Sequence, residues 1–458
     1  MNYCSRCIWL MVCLGLCFGI NCVAAEPNTW RAGVAKVSIT PTDPVWMAGY
    51  ASRNGPSEGT LTELFARAAV LTDGDGHRVV MLTLELIEIT DSLREAILKI
   101  AQSHHSLKPH ELLLNVSHTH GGPMISAKTV ADWGIDAGWG SRAESYANDI
   151  VKKVDHIIGE AIAKQEPVTI SYSHARCGFA MNRRLRTDSG FRLSPNPDGN
   201  VDHAVPVLRI ETIDNRLLGI IFGYACHNTA LGDTRQLHGD YAGFAQEKLE
   251  SDHRGTVALF LTGCGGDQDP SPRRHLEDAR LNGLALASAV EAALSTTKIT
   301  LPAYLTTSLE TIPLAFSPLP ARDELTARAN SPDGYVSRHA RMILDKWPNP
   351  ADQPADYQYP VQVLTIGQQV LLVALGGEPV VDYSLRLKRE LAPQGKSVWV
   401  AGYSNLVNAY IPTRRVLEEG GYEGTEAIIY QSLPTPFSLD TEERIVASVL
   451  RQVQAIPK

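Results

Sequence analysis

Outside its first 25 residues, this chain of 458 residues has very few cysteines. Five of the eight cysteines fall within that opening segment, namely Cys4, Cys7, Cys13, Cys17 and Cys22. The rest of the chain keeps Cys177, Cys226 and Cys264, whose spacings match no zinc-knuckle pattern. This scarcity excludes a disulfide framework. We expect at most one disulfide and favour three buried thiols that pack as small apolar side chains.

The chain also lacks any block of Lys and Arg, and its formal net charge is -8. Both features argue against nucleic acid or an anionic membrane surface as the main partner. Internal repeats and low-complexity tracts are absent as well. With 44% hydrophobic and 20% charged residues, the composition is that of a globular protein with a large core. A small or neutral substrate fits these features better.

Long hydrophobic runs occur only at the start of the chain. Residues 1–25 carry Arg6, an apolar stretch at 8–20 and the small residues Val23, Ala24 and Ala25. This order is typical of a secretory signal peptide, and the apolar stretch is too short for a stable membrane span. We therefore expect cleavage near Ala25, a secreted or periplasmic protein, and no transmembrane anchor.

Short apolar runs alternate with amphipathic segments along the rest of the chain. The apolar runs predict strands at 78–84, 111–116, 217–225, 256–261, 369–375 and 397–401. Helical spacing of apolar residues predicts helices at 91–103, 142–164, 240–251, 277–295, 379–391 and 441–455. The alternation favours an α/β fold with a largely parallel or mixed β-sheet, covered by helices on both faces.

Three segments lack such a pattern, and we predict irregular lids or insertions at 124–140, 186–204 and 315–360. No convincing linker divides the chain. Candidate site residues spread from His118 to Tyr422, so we expect residues 26–458 to form one catalytic domain.

Five predicted strands end in small residues that polar groups follow at once. These stretches are NVSHTHGGP (115–123), YACHNTALGD (224–233), LTGCGGDQDP (261–270), LGGEPVVDY (375–383) and AGYSNLVNAY (401–410). In open α/β sheets, ligands bind beyond the carboxyl ends of the strands. The sequence therefore predicts that these stretches converge on one site.

His118 and His120 lie one residue apart in the first stretch. On an extended backbone, residues i and i+2 point to the same side. One imidazole can then bind a metal while the other donates or accepts a proton. The alternative is a solvated loop pair, or a pair that caps a helix. The buried strand before them and Gly121-Gly122-Pro123 after them favour the functional interpretation.

His227 and Glu378 follow two other strand ends. A lone histidine at such a place is more often structural, and Glu378 before Pro379 can simply favour the dipole of the next helix. Even so, two histidines and a glutamate are a common ligand set for catalytic zinc, which keeps a position open for water. Neutral imidazole and carboxylate ligands disfavour copper(I).

In their order along the chain, these motifs resemble those of the neutral, or non-lysosomal, ceramidases. The motifs are HTHGGP, CHNTALG, GCGGDQDP, GGEP with a downstream Arg386, and NAYIPTRRVLEEGGYEG. The likeness also covers WMAGYASR (46–53), LFARAAVL (64–71), NRR (182–184) and HGDYAGFAQEKLE (238–250). The resemblance implies a zinc amidase that hydrolyses an N-acyl bond of a small-molecule or lipid substrate, such as a ceramide-like lipid.

The resemblance also implies roles for individual residues. The zinc ligands fall on His118, His227, Glu378 and Tyr410, whereas His120, Arg183 and Tyr422 fall on positions around the substrate amide. Zinc lowers the pKa of its bound water to about 7 and polarises a carbonyl group. His120 would move protons, and Arg183 or Tyr422 would stabilise the oxyanion. From the residues alone, a surface salt bridge is an equal alternative for Arg183.

The chain departs from the family pattern in two respects. Asp269 stands where the family has a serine that is important for activity. It is expected to act as a base, to hold a polar or cationic substrate group or, together with Asp267, to cap the following turn. The chain also ends after a helix near Ile456, and we expect a short form without the immunoglobulin-like domain of full-length enzymes.

Two other functions are consistent with the sequence. One is an amidohydrolase barrel, in which an HxH pair also binds metal at a strand end, although the strands before His118 and the GGEP glutamate count against it. The other is a non-catalytic metal- or ligand-binding protein on the same scaffold that has lost turnover through Asp269.

Overall fold

The computed structural model describes residues 29–349, 352, 356–392 and 395–457. The predicted signal peptide at 1–25 lies outside these residues, as do its five cysteines. Labelled in chain order, the strands are β1 (Trp30–Ser38), β2 (Gly59–Thr60), β3 (Phe65–Thr72), β4 (Arg78–Leu84), β5 (Leu112–Val116), β6 (Glu166–Arg176), β7 (Ala180–Thr187), β8 (Gly190–Asn196), β9 (Ala204–Thr212), β10 (Leu217–Tyr224), β11 (Gln236–Leu237), β12 (Val257–Thr262), β13 (Gln268–Pro270), β14 (Ile299–Leu301), β15 (Leu305–Leu314), β16 (Tyr357–Ile366), β17 (Val370–Leu375), β18 (Glu378–Pro379), β19 (Ser397–Ala401) and β20 (Tyr410–Ile411). The α-helices are α1 (Asp91–His105), α2 (Ala127–Asp132), α3 (Gly138–Ala163), α4 (Asp240–Asp252), α5 (Leu276–Ser295), α6 (Arg322–Ala329), α7 (Gly334–Lys346), α8 (Val381–Leu391), α9 (Arg414–Glu419), α10 (Ile428–Gln431) and α11 (Thr441–Gln454). A 3-10 turn at Pro109–Glu111 and a π-helical turn at Tyr422–Glu426 complete the helical segments of these ranges.

Two mixed sheets form the centre of the fold. A nine-stranded sheet has the order β12-β10-β9-β6-β1-β3-β4-β5, with β14 paired to β6, and a four-stranded sheet has the order β15-β16-β17-β19. Parallel pairing occurs in β4 with β5, β10 with β12 and β17 with β19, and the other neighbours in these sheets are antiparallel. The predicted α/β fold with a mixed sheet is confirmed. Its antiparallel pairs do not match the parallel barrel of the amidohydrolase alternative.

The two sheets pack face to face between layers of helices. Alternate residues along a strand point to opposite faces, so the two faces of the large sheet contribute side chains to separate cores. Leu82 and Phe260 of its outer face pack among α1, α3, α4 and α5. Leu71 of its inner face shares a core with Leu372 of the second sheet, and α8 and α11 cover the outer face of that sheet. Helices thus lie on the two outer faces, rather than on both faces of one sheet as the sequence predicted.

The strands and helices predicted from the sequence are all present, with small shifts at their ends. Their apolar runs are reliable signals because both faces of a central strand are buried. For example, β17, which lies between β16 and β19, is buried along its whole length. No helix within the described ranges is both long and apolar enough to cross a membrane.

The prediction of irregular structure is wrong for three segments. Residues 124–140 contain α2 and the start of α3, residues 186–204 contain β8, and residues 315–360 contain α6, α7 and the start of β16. Several of these elements lie at the surface, where little apolar periodicity is needed. No residue of β8 is buried, and α6 buries only Leu325 and Ala329.

Cys177, Cys226 and Cys264 are free and buried, which confirms the favoured prediction of three thiols. Cys226 and Cys264 follow the neighbouring strands β10 and β12 but belong to different cores. They therefore pack as small apolar side chains in two separate cores.

The strand ends that carry the polar stretches meet at one place, as predicted. Backbone hydrogen bonds link these ends. The N–H of Gly263, after β12, donates over 2.9 Å to Tyr224 at the end of β10, and the N–H of Gly402, after β19, donates over 2.9 Å to Thr262 at the end of β12. The N–H of Val116, at the end of β5, donates over 3.1 Å to Tyr403 after β19. A parallel bridge between Thr119 and Asn228 joins the segments after β5 and β10. This ladder of contacts fixes the polar side chains relative to both sheets.

Candidate metal centre and active site

His118 and His227 each present one ring nitrogen to the same carboxylate. Nδ1 lies 2.6 Å from the carbonyl oxygen of Ile87 in His118 and 2.7 Å from that of Gly265 in His227. A carbonyl oxygen only accepts, so Nδ1 carries the proton in both rings and Nε2 keeps its lone pair. Hydrogen bonds of this kind orient the histidine ligands of metal sites.

The Glu378 carboxylate contacts the Nε2 atoms of both histidines. Its Oε2 lies 3.1 Å from Nε2 of His118 and 3.2 Å from Nε2 of His227. The Tyr403 hydroxyl donates to Oε2 over 3.4 Å, and the Gln431 amide donates to Oε1 over 3.4 Å. The carboxylate is therefore held by neighbours on both of its oxygens.

Tyr410 completes this group from the strand beside Glu378. The short strands β18 and β20 pair in parallel, with Glu378 opposite Tyr410. The Tyr410 hydroxyl lies 3.1 Å from Nε2 of His227 and accepts a hydrogen bond of 2.9 Å from Arg183. The four predicted ligands His118, His227, Glu378 and Tyr410, which come from separate parts of the chain, thus lie together.

The donor atoms of these four residues fit a metal ion. The Nε2 atoms of two histidines face one carboxylate oxygen at 3.1 and 3.2 Å, a spacing at which all three atoms can bind one cation. Donors of a tetrahedral zinc site, with bonds of about 2.0–2.1 Å, are about 3.3 Å apart. Imidazole, carboxylate and phenol oxygen form a hard to borderline donor set that suits zinc better than copper(I).

Burial and neighbouring charges shift the pKa values of three of these four residues. Burial alone would raise the pKa of Glu378, but positive charge on His118 and His227, together with their hydrogen bonds, holds it well below its usual value, and a bound cation would act in the same direction. Burial raises the pKa of the Tyr410 phenol well above its usual value, and the Glu378 carboxylate adds to this effect. Burial also lowers the pKa of His227, as does the positive charge of Arg183. Neutral imidazole and an ionised carboxylate are the protonation states that a divalent cation requires.

His120 lies beside the donor group. Its ring centroid is 5.1 Å from that of His118 and 6.0 Å from that of His227. Neither ring nitrogen has a hydrogen-bond partner in the described part of the chain, although both are buried. Burial, with the two neighbouring imidazoles, lowers the pKa of His120 well below its usual value. The predicted extended backbone is wrong at His118, whose φ is +57°, but the two rings remain neighbours.

Glycine is required at position 49 by the His120 ring. Gly49 has a φ of +106°, and a Cβ atom there would lie 2.5 Å from the imidazole. Tyr50, the next residue, packs its ring 4.9 Å from the His120 ring. The WMAGYASR segment thus forms the wall against which His120 is held.

Arg183 is buried in the site, which excludes a surface salt bridge. Its Nε donates to Glu423 over 2.8 Å and its Nη1 to Asp269 over 3.2 Å. Its Nη2 donates to the Gly266 carbonyl over 2.8 Å and to the Tyr410 hydroxyl over 2.9 Å. Every nitrogen of the guanidinium is engaged, so Arg183 fixes the position of the Tyr410 phenol.

Tyr422 offers a donor that Arg183 does not. Its ring centroid lies 5.5 Å from that of Tyr410, and its hydroxyl makes no hydrogen bond to any residue that the structure describes. Burial raises the pKa of Tyr422, so the phenol keeps its proton at neutral pH. The residue after it, Glu423, pairs with both Arg183 and Arg184 and anchors the π-helical turn.

Asp269 bridges two arginines. One carboxylate oxygen accepts from Arg183 over 3.2 Å and from the Thr229 hydroxyl over 3.3 Å, and the other pairs with Arg273. Burial alone would raise the pKa of Asp269, but Arg183 and Arg273 lower it below its usual value. A carboxylate held in this way is a weak base and has no free oxygen for a cation.

Asp267 differs from Asp269 in its partners. It accepts a hydrogen bond of 2.7 Å from the backbone N–H of Val381 at the start of α8. Its other oxygen accepts from the Asn182 amide over 3.3 Å. Of the two aspartates, Asp267 therefore has the capping role, although it caps a distant helix instead of the following turn.

Tyr403 and Gln431 contact the predicted metal ligands, and the sequence analysis missed both. The Tyr403 ring lies 4.6 Å from that of His118, and its hydroxyl reaches Glu378. Gln431 contacts Glu378 and also accepts a hydrogen bond of 3.2 Å from the Tyr410 backbone. Tyr403 lies in the AGYSNLVNAY stretch, where its place after a strand was the available signal. Nothing in the sequence singles out Gln431.

Comparison with known proteins places this geometry in a family. Residues 30–273, more than half of the chain, match the family described as neutral/alkaline non-lysosomal ceramidase, N-terminal. The chain belongs to this family. The match confirms the resemblance of the motifs up to Arg273, whereas Glu378, Tyr410 and Tyr422 lie beyond the matched residues.

Individual members of the family are distant relatives of this chain. The chain is 25% identical to neutral ceramidase of Drosophila melanogaster over 260 residues, which cover 53% of this chain and 36% of that protein. It is 25% identical to neutral ceramidase A of Dictyostelium discoideum over 270 residues, which cover 54% and 37% of the two proteins. The matched region thus spans just over a third of the length of these relatives.

The fold is also that of a solved member. The crystal structure of neutral ceramidase from Pseudomonas aeruginosa superposes with a TM-score of 0.71 and 20% identity, over 93% of this chain and 75% of that one. At this level of identity, the likeness establishes the fold.

Proposed function

We propose that this protein is a zinc-dependent hydrolase of N-acyl amide bonds, with ceramide-like lipids among its substrates. The family supports amide hydrolysis of this type. The observation that carries the proposal is the pair of Nε2 atoms at 3.1 and 3.2 Å from one Glu378 oxygen, with the Tyr410 hydroxyl 3.1 Å from one of them, an arrangement that suits a bound cation.

In this proposal, His118, His227, Glu378 and Tyr410 hold the zinc ion. When bound, zinc acts as a Lewis acid on a substrate carbonyl and lowers the pKa of a water molecule to about 7. Arg183 holds the Tyr410 phenol in place through its hydrogen bond of 2.9 Å. Asp269 in turn supports Arg183 and does not act as a base, because two arginines occupy its oxygens.

His120 and Tyr422 supply the proton chemistry of the chain. His120 has two ring nitrogens without partners among the described residues, so it can accept a proton from water and return it to the leaving amine nitrogen. The Tyr422 phenol keeps its proton and is free to donate a hydrogen bond to the oxygen of the substrate amide as negative charge develops there. Among the described residues, neither the His120 ring nitrogens nor the Tyr422 hydroxyl makes a hydrogen bond that would have to break before it contacts the substrate.

A row of aromatic rings leads from the centre towards the surface and fits an apolar acyl chain. Successive ring centroids lie 5.5 Å apart from Tyr410 to Tyr422, 6.3 Å from Tyr422 to Tyr430, and 4.9 Å from Tyr430 to Tyr335. Trp133 packs at 5.9 Å from Tyr335. Partly exposed aromatic walls of this kind bind apolar groups by burial of their surface.

The proposal is tested by measuring fatty acid release from N-acyl substrates by the purified protein. We expect hydrolysis that a chelator abolishes and that added zinc restores, and no hydrolysis by His118→Ala. Zinc bound without turnover on a broad panel of amides and esters would instead indicate a binding protein, and hydrolysis that survives chelation and His118→Ala would refute the metal mechanism.

Export and domain organisation are part of the same proposal. We infer that the signal at 1–25 directs the protein out of the cytoplasm and that residues 26–458 act as one catalytic domain. Residues around the site come from both sheets, from Ile87 to Gln431, which supports a single unit. N-terminal sequencing of exported protein is expected to begin near Glu26.

A further inference from the structure

Arg273 lies at the outer end of a chain of charged groups that starts at the metal centre. Arg183 donates to the Tyr410 hydroxyl and to Asp269, and the second oxygen of Asp269 pairs with Arg273. Side-chain exposure rises along this chain from 8% for Arg183 and 12% for Asp269 to 32% for Arg273. The network therefore runs from the buried site to solvent and ends in a guanidinium.

The Arg273 guanidinium has donors to spare. Its contact with Asp269 uses Nη1, and its other N–H groups make no hydrogen bond within the ranges that the structure covers. A guanidinium has five N–H donors and readily binds two carboxylates at once. Arg183 does so in this structure, between Asp269 and Glu423. Arg273 is thus equipped to bind a second anion while it keeps Asp269.

Tyr50 contacts His120 and is influenced by the charges of Asp269 and Arg273. The Tyr50 ring lies 4.9 Å from the His120 ring. Burial raises the pKa of the Tyr50 phenol, the charge of Asp269 raises it further, and the charge of Arg273 lowers it. Tyr50 thus lies close to His120 and within electrostatic range of both members of the ion pair.

The aromatic row leaves the centre through other residues. It leaves the centre through Tyr422 and Tyr430, whereas the charged chain leaves through Asp269. An amide substrate has two halves, and the apolar row suits the acyl half. The half that carries the nitrogen then meets Asp269 and Arg273.

We propose that Arg273 binds a carboxylate on the amine half of the substrate, so that the enzyme prefers N-acyl amino acids to amides with a neutral headgroup. This inference rests on the proposed amide hydrolysis. A cationic headgroup does not fit, since both oxygens of Asp269 are occupied by arginines and Arg273 supplies the free donors. In the reaction, water adds its oxygen to the acyl carbon, the C–N bond breaks, and the amine nitrogen takes the proton, which gives a fatty acid and an amino acid.

The test compares substrates that share one acyl chain. Hydrolysis of N-lauroyl-glycine, N-lauroyl-γ-aminobutyrate and neutral N-lauroyl-ethanolamine is measured for the wild type, Arg273→Gln and Arg273→Lys. The carboxylate lies close to the amide in N-lauroyl-glycine and farther from it in N-lauroyl-γ-aminobutyrate, so the pair covers two distances between Arg273 and the amide. Arg274→Gln is the matched control, because Arg274 is the adjacent exposed arginine.

We expect the wild type to prefer at least one carboxylate substrate by about 10-fold or more in kcat/KM, as a charged hydrogen bond allows. Arg273→Gln should lower the ratio of kcat/KM on the carboxylate substrates to kcat/KM on the ethanolamide, mainly through KM, and Arg273→Lys should keep part of the preference. A wild type that prefers the ethanolamide, or a substrate ratio unchanged in Arg273→Gln, would overturn the headgroup inference while amide hydrolysis stands. Absence of chelator-sensitive hydrolysis on all three substrates would overturn the proposed function and this inference with it.

Discussion

The Oε2 atom of Glu378 lies 3.1 Å from Nε2 of His118, although the two residues follow strands of different sheets. The hydrogen bond from His118 to the Ile87 carbonyl places the ring proton on the other nitrogen. With the ring proton on Nδ1, the Nε2 lone pair and the carboxylate can both bind one metal ion. This relationship links the packing of two sheets to the chemistry of the site.

His120 and His118 should separate catalysis from metal binding. A ring nitrogen of His120 lies within 4.8 Å of those of His118 and His227, but the proposal assigns zinc to the other four residues. His120→Ala should therefore keep zinc but lower kcat by about 10²–10⁴-fold, as expected for loss of a general acid and base. His118→Ala should lose both zinc and activity. The check is zinc content and turnover measured on the same preparations. Loss of zinc from His120→Ala to the extent seen in His118→Ala would contradict the assignment.

Tyr403 should act through Glu378 as a positioning residue. Tyr403→Phe removes the hydroxyl that donates to Oε2, and loss of such a contact weakens metal binding by about 10-fold or more. Zinc affinity is measured by competition with a chromophoric chelator. Tyr146→Phe is the control, because it removes a buried hydroxyl that is bonded to the Ile39 carbonyl and not to Glu378. Equal zinc affinity in the Tyr403→Phe variant and the wild type would refute this role.

Glu423 and Glu419 provide a matched test of the ion pairs behind the site. Glu423 is buried between Arg183 and Arg184, and Glu423→Gln should lower the free energy of unfolding by about 3 kcal/mol, since it leaves buried charge uncompensated. Glu419 pairs with Arg184 but its side chain is 21% exposed, and Glu419→Gln should cost less than about 1 kcal/mol. Urea unfolding of both variants checks the difference. Equal losses would show that burial of the pair does not decide its contribution.

Asp202 should make stability depend on acid pH. It accepts from Ser384 over 2.6 Å and from Lys388 over 2.5 Å, and although burial alone would raise the pKa of Asp202, these partners lower it below its usual value. A lowered pKa stabilises the fold above the ordinary carboxyl pKa of about 3.9, and that stability is lost as pH falls through the folded pKa. Asp202→Asn should therefore cost about 1–3 kcal/mol at neutral pH.

The difference between Asp202→Asn and the wild type should shrink as the pH falls below about 4. Urea unfolding at neutral and at acid pH measures it. A difference that stays constant over this range would mean that the carboxylate charge contributes nothing to the fold.

The central strands could be predicted from the sequence, because strands buried on both faces require continuous apolar runs. The polar residues that follow these strands could be predicted with them. β7 and β8 could not, since β8 is exposed and the buried side chains of β7 are mainly polar, namely Asn182, Arg183 and Arg184. The second sheet was hidden for another reason. Apolar periodicity shows that a face is buried but does not show whether a helix or a sheet covers it.

The candidate site was predictable in unequal parts. His118 and His227 stand out as polar residues at strand ends, whereas Tyr410 was found only through the family resemblance. The bonds that orient these residues come from the Ile87 and Gly265 carbonyls and from Gln431, and such contacts depend on tertiary packing that no local pattern reveals.

Zinc titration of the metal-free protein tests the account most directly. Competition with a chromophoric chelator should show one tight zinc ion per chain in the wild type, and affinity reduced by orders of magnitude in both His118→Ala and Glu378→Gln. A wild type that takes up no stoichiometric zinc, or variants that bind it as tightly as the wild type, would contradict a metal centre formed by these residues.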